Sequence, residues 1–174
     1  MENFEIQSPM AMANFIIKHA HEREIPISNL HLQKILYFLQ AAFLVKYNGK
    51  PLINGNFSRW SYGPVMQEVY NAYRENGSSS IRDLSPNISI KDGKWDIKAP
   101  EITKLDEFDN ASSTLLVNTI DTLLANNPWN LVDITHRQEL WSSYEEAINQ
   151  HHAPDYSNSE IYEYFKNNIG ELIW

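Results

Sequence analysis

The sequence predicts a mainly α (α+β) fold: a single compact domain, residues 1–174, of about six or seven helices with a short aromatic arm or strand and a small β-hairpin. Three observations predict it. Apolar residues recur at three- and four-residue spacing along most of the chain. Ser-Pro and Asn-Pro signals punctuate those stretches into separate helices. Period-two alternation occurs in only two short places. With 174 residues, 43% of them apolar and 21% charged, a chain this long buries about 70% of its unfolded surface and needs no staple to fold.

The elements follow in order. Ser8-Pro9 starts a helix, Ser supplying the cap oxygen and Pro9 taking a position where no N–H is needed. Ala13, Ile16, Ile17 and Ala20 form its apolar stripe, and it ends before Pro26. Ser28 or Asn29 caps a second, longer helix that runs to a left-handed stop at Asn48-Gly49. There Leu32, Ile35, Leu36, Leu39 and Phe43 crowd one side while Phe38, Ala42 and Val45 widen it. So little polar surface remains that this is the central helix of the core. Its polar residues Gln33, Lys34, Tyr37 and Gln40 lie within about 120° of one another, either as a solvated stripe with Tyr37 at its rim or as a contact strip for a partner.

Phe57 to Tyr62 alternates, with Trp60 and Tyr62 on one face, and reads as a short strand or extended arm. Gly63-Pro64 is expected to open a helix through Val65, Met66, Val69, Tyr70 and Tyr73, with Pro64 at its first position. Around 85–98, Ile88-Ser89-Ile90 and Trp95-Asp96-Ile97-Lys98 flank Asp92-Gly93, a strong hairpin turn. The remainder, 101–174, is helical and acidic: one helix around Leu115, Leu116, Ile120, Leu123 and Leu124 that stops at Asn126-Asn127-Pro128, and a short one from Pro128 with Leu131 and Ile134. A third runs from Glu139 to Ile148 around Trp141, and a last one carries Ile161, Tyr164, Phe165 and Ile169, after a polar stretch from His151 to Ser159.

The net charge of −8 is unevenly placed. Residues 1–74 carry 7 basic and 5 acidic side chains, 75–100 carry 4 of each, and 101–174 carry 3 and 13. Such asymmetry marks either a partner surface or simply well-solvated helix faces. An acidic segment of this size repels phosphate backbones, so no direct nucleic-acid contact is expected. The acidic N-terminus Met1-Glu2-Asn3-Phe4-Glu5 lacks the basic and apolar blocks of a signal peptide, and no apolar run approaches the ~20 residues that cross a bilayer. A cytoplasmic protein without membrane attachment is expected.

Chemistry is sparse. Without cysteine there is no disulfide, thiolate metal site or cysteine nucleophile. The six histidines, His19, His21, His31, His136, His151 and His152, include no pair four apart on one helix face, so no metal site is expected. No nucleophile elbow, dinucleotide fingerprint or Walker loop occurs. Thr135 and His136 are adjacent and therefore about 100° apart on a helix, which does not make a dyad. No catalytic residue, cofactor or metal is expected.

One constellation remains. Leu32-Gln33-Lys34-Ile35-Leu36-Tyr37-Phe38-Leu39-Gln40-Ala41, then Trp60-Ser61-Tyr62-Gly63-Pro64-Val65 and Val69-Tyr70, resembles the Panacea domain, the SocA-like or GepA-like antitoxin family found in prophages and small bacterial operons. Leu131-Val132-Asp133-Ile134-Thr135-His136 followed by Trp141 is similar to the family's Leu-x-x-Leu-Thr-His…Trp segment, with Ile134 for a leucine and Leu140 where a proline is common. The likeness is strongest over residues 10–75. It implies an antitoxin that neutralises a cognate toxin, encoded next door, by direct protein–protein binding; some members are implied to deliver the toxin to an ATP-dependent protease. It raises Gln33, Lys34, Tyr37 and Gln40 as partner contacts, with Trp60 and Tyr62 as aromatic anchors. Packing of the arm onto the central helix is the competing role for those two aromatics. Gly63, Pro64, Thr135, His136 and Trp141 are motif residues expected to serve turns, caps and packing. Toxin contact is expected in the motif-bearing part and support in the acidic helices.

Two other readings stand beside it. One is a phage-encoded regulator, or inhibitor of a host nucleic-acid-binding protein, acting through the acidic surface. The other is an enzyme using His136 with Lys34 or Tyr37.

Overall fold

The computed structural model describes residues 4–103 and 108–174. Met1, Glu2 and Asn3, read above for a signal peptide, and the 104–107 stretch of the acidic segment lie outside the described residues. Helix α1 (Pro9–Glu22) is capped by the Ser8 hydroxyl, which accepts from the Ala11 amide. Helix α2 (Asn29–Lys46) is capped by Ser28. Asn48 and Gly49, at φ of 51° and 92°, make its left-handed exit. As expected of a central helix, α2 packs against α1, α3 (Gln67–Tyr73), α4 (Asn110–Leu124), α5 (Pro128–Arg137) and α8 (Asn158–Asn167). Leu32, Ile35, Leu36, Phe38, Leu39 and Phe43 are fully buried there, with Ile16 and Ile17 from α1 and Leu116, Ile120 and Leu123 from α4. Polar pins set how these helices sit. His19 reaches Asp121 at 2.7 Å, Arg23 joins the same carboxylate, and His31 donates to the Leu123 carbonyl at 2.9 Å.

The helix expected to open at Pro64 begins instead at Gln67. Strand β1 (Ser58–Trp60) pairs antiparallel with β2 (Gly63–Val65), Arg59 opposite Pro64, so Gly63-Pro64 closes a tight ribbon. Proline suits such a two-stranded edge because it has no N–H to leave unpaired. Two α2 side chains then stop the helix from starting earlier: Lys34 takes the Pro64 carbonyl at 2.9 Å and Gln33 Oε1 takes the Met66 amide at 2.8 Å.

Eight α-helices occur among the described residues, against six or seven expected, because the Glu139–Ile148 helix is two: α6 (Glu139–Ser142) and α7 (Glu145–Asn149). Arg59 Nε donates to the Leu140 carbonyl at 2.7 Å, and the Tyr144 amide, the usual α-helical donor to that oxygen, bonds Trp141 instead at 2.9 Å. The stretch His151–Ser159 is not wholly solvated either, since Tyr156 is buried and its amide bonds the Phe57 carbonyl. Strands β3 (Asn87–Lys91) and β4 (Lys94–Lys98) form the expected hairpin, with Asp92 and Gly93 at φ of 50° and 73° in its turn.

Candidate partner-binding site

The arm tip is exposed yet braced from several elements. Between β1 and β2, Ser61 and Tyr62 turn outward while the backbone on either side is gripped from behind. Trp141 Nε1 donates to the Trp60 carbonyl and His136 Nε2 to the Ser61 carbonyl, each at 2.9 Å. The two donors' rings stack on one another, centroids 3.9 Å apart. On the far strand, Lys34 holds Pro64 as described. Gly63 lies at φ 92°, and a Cβ there would meet Thr135 Oγ1 at 2.5 Å. The ribbon therefore approaches α5 as closely as backbone allows, and only glycine fits. Thr135 Oγ1 in turn is committed to the Val132 carbonyl.

What this frame presents is aromatic. Tyr62 is 57% exposed and Trp129, on the first turn of α5, is 53% exposed, their rings edge to face with centroids 5.3 Å apart. Trp60 is only half-buried, and its ring meets Tyr70 of α3 edge-on at 4.8 Å. Asp133, exposed one turn along from Trp129, and Glu145 both act electrostatically on His136 and bring two carboxylates close to it. Partial burial, joined by the Lys34 ammonium, holds the His136 imidazole below its usual range, so it is a neutral donor at pH 7.

The α2 polar sector requires a correction. Gln33, Lys34, Tyr37 and Gln40 were expected on a solvated or contact strip, yet all four are buried. Each pairs with a non-helical segment or with a facing helix. Gln33 links Asn29 to the Met66 amide, and Tyr37 donates to Gln138 Oε1 at 2.8 Å. Gln40 accepts from the Leu52 and Ile53 amides and donates to the Ile53 carbonyl and Asn158. Helical periodicity separates polar from apolar residues, but a polar stripe facing loops looks the same as one facing water. Desolvation is severe here. It pushes the Tyr37 hydroxyl well above its usual range and the Lys34 ammonium down to about 7.

Two residues of the site escaped the sequence reading. Trp129 follows Pro128 at a helix start and carries no periodic signal. Arg59 was placed on the arm without a role, yet its fully buried guanidinium bonds the carbonyls of Leu140, Pro154 and Asp155 and the Glu160 carboxylate at 2.7–2.9 Å. It lies between the Tyr144 and Tyr156 rings, 3.9 and 4.2 Å from their centroids. Against the effect of burial, the Ser157 amide and Arg59 keep the Glu160 carboxyl below its usual range. Arg59 thus ties the arm to α6 and α8 and fixes where the tip stands. Thr135 and His136 do not form a catalytic pair, since each serves a different backbone carbonyl.

Comparison with known proteins decides what this frame belongs to. The model of the antitoxin SocA-like, Panacea domain family matches residues 32–142, which takes in most of α2, the arm, the hairpin and α5. The chain belongs to that family. It is similar to antitoxin SocA of Caulobacter vibrioides (strain NA1000 / CB15N), 42% identical over 90 residues, an alignment covering 52% of this chain and 47% of the relative. The chain thus spans about half the length of the curated relative it matches. No solved structure matches it. The buried Gln33, Lys34, Tyr37 and Gln40, the Trp60–Val65 arm, and Thr135, His136 and Trp141 all fall within the matched span, and in this member Gln33, Lys34, Thr135, His136 and Trp141 brace the arm that carries Tyr62. No helix among the described residues is long and apolar enough to cross a membrane, and none of their His, Asp and Glu side chains gather in threes around a metal-sized space.

Proposed function

We propose that this chain is a cytoplasmic, non-enzymatic antitoxin that neutralises a cognate toxin by direct protein–protein binding, using the arm tip as its anchor. The observation that carries this reading is the exposed Tyr62–Trp129 pair held on a rigid frame. Aromatic side chains that stay exposed yet immobile bind with little ordering cost, and Trp and Tyr dominate binding energy at interfaces. The toxin surface that fits offers an apolar pocket bordered by positive charge, matching Asp133 and Glu145. Nucleic acid is not a partner in this reading, given the net charge of −8.

Each neighbouring gene is expressed alone and then with this chain. Growth arrest by one neighbour, relieved by co-expression, is the expected result. Tyr62→Ala with Trp129→Ala removes relief and weakens capture of the neighbour's product at least about 30-fold, a pair of anchors being worth 2 kcal/mol or more. Arrest by neither neighbour, or full relief by the double variant, overturns the proposal. Delivery of the captured toxin to an ATP-dependent protease is a further part of the reading. It predicts a toxin half-life that shortens when this chain is co-expressed and an ATP-dependent protease is active.

A further inference from the structure

The hairpin β3–β4 is exposed on both faces, apart from a half-buried Asp96. Its cross-strand pairs Ile88–Ile97 and Ile90–Trp95 put four large apolar side chains on one face. They are 63%, 62%, 65% and 73% exposed. That is on the order of 500 Å² of contiguous apolar surface, near the most a soluble monomer shows. A lone two-stranded ribbon is also marginal in water without something packed on its face. The opposite face holds Lys91, Lys94 and Lys98, three of the chain's nine lysines, and the turn holds Asp92. Asp96 is shared between Lys91 and Lys98 at 3.3 and 3.9 Å, and three lysines against Asp92 and Asp96 leave the ribbon at a net +1. Lysines on so thin a ribbon reach round its edges on their flexible stems.

The complement to this patch lies on the same chain. The arm tip is aromatic and exposed, bordered by Asp133 and Glu145, within a segment carrying 13 acidic and 3 basic residues. We infer that the occupant of the hairpin's apolar face is a second copy of this chain: the hairpin of each protomer covers the Tyr62–Trp129 tip of the other, giving a closed two-fold dimer. One such contact buries on the order of 1,000 Å² in total, the floor for a specific interface, and the reciprocal pair doubles it into the standard range. Pairing of two hairpins fits worse. Edge pairing along β4 about Asp96 sets Lys94 against Lys98 and Asp96 against its own copy, like charges directly opposite. Edge pairing along β3 leaves the apolar face uncovered, and stacking the two apolar faces brings no acidic group of the other copy to the lysines beyond the Asp96 they already share. In the dimer the tip is masked, so dimer and toxin complex exclude one another. The inference nevertheless holds or fails on the chain alone, independently of the toxin reading.

The test is sedimentation of the purified full chain from about 1 to 500 μM, with no partner present. A reversible dimer of micromolar Kd is expected, weakened at least about threefold between 50 and 500 mM salt as edge charges are screened. Ile90→Ser with Trp95→Ser gives a monomer, as does Tyr62→Ala with Trp129→Ala. Both variants alter exposed side chains, and unchanged circular dichroism and melting temperature verify their folds. Mixing the two variants restores a one-to-one dimer, because one intact hairpin meets one intact tip. A wild-type monomer at every concentration overturns the inference and leaves the hairpin to a different protein. A dimer that survives the tip variant, or a mixture that stays monomeric, overturns it equally.

Discussion

Lys34→Met isolates the most expensive side chain in the frame. The Lys34 ammonium is fully buried, its one bond is to the Pro64 carbonyl, and desolvation lowers it from 10.5 to about 7. At about 1.4 kcal/mol per tenfold change in proton affinity, the charged form is roughly 5 kcal/mol less favourable in the folded chain than in water. The unfolded chain keeps this proton up to 10.5 and the folded chain only up to about 7. Between those values the unfolded state binds more protons, so stability rises with pH. Linkage gives a penalty of about 4 kcal/mol at pH 7 and about 2 kcal/mol at pH 9. Methionine preserves the apolar stem and removes the penalty, at a loss of about 1–3 kcal/mol for the unpaired Pro64 carbonyl. Lys34→Met is therefore the more stable protein at pH 7, and its advantage shrinks by about 2 kcal/mol at pH 9. The window suits the comparison: burial raises the Tyr37, Tyr156 and Tyr164 hydroxyls above their usual range, and His31 and His136 lie below theirs. Urea unfolding of both proteins at pH 7, 8 and 9 measures it. A stability difference that does not change with pH refutes the reasoning. The same variant loosens Pro64, so a more stable protein that captures its partner less well is the paired expectation.

Gly63→Ala forces a side chain into positive φ and onto Thr135 Oγ1, which costs about 3 kcal/mol in chemical denaturation. Arg59→Lys keeps the charge but cannot reproduce four hydrogen bonds and two ring contacts. A loss of about 3 kcal/mol is expected by thermal unfolding, with Glu160→Gln milder because its partner keeps three carbonyls. His31 is held below 6.5 by burial. Below that pH the unfolded chain takes up the proton first, so stability falls as pH drops from 6.5 toward 5. His31→Gln keeps a donor for the Leu123 carbonyl, and its unfolding midpoints over that range flatten.

The framework was legible wherever a local signal and the tertiary answer coincide. Ser8, Ser28, Asn127 with Pro128, and Asp92-Gly93 mark boundaries because caps and tight turns are decided within a few residues. Apolar spacing likewise identified α2 as central. The readings that needed correction share another cause: each concerns a polar group whose partner is remote in sequence. Pro64 reads as a helix start until Lys34, 30 residues earlier, takes its carbonyl. The Glu139–Ile148 stretch reads as one helix until Arg59, 81 residues earlier, captures Leu140. Gln33, Lys34, Tyr37 and Gln40 read as surface because a hydrogen bond to a loop and one to water leave the same mark on a helical wheel. This changes what their recurrence in a family motif means. A motif lysine or tyrosine invites assignment to the partner, yet here the motif residues spend their hydrogen bonds inside the molecule: Gln33, Lys34 and Gln40 hold backbone amides or carbonyls, and Tyr37 holds the Gln138 side chain. Two side chains that meet solvent, Tyr62 on the arm and Trp129 on α5, sit on elements that this frame supports. A common scaffold can then serve different partners by changing a few exposed residues, without disturbing the buried polar network that positions them.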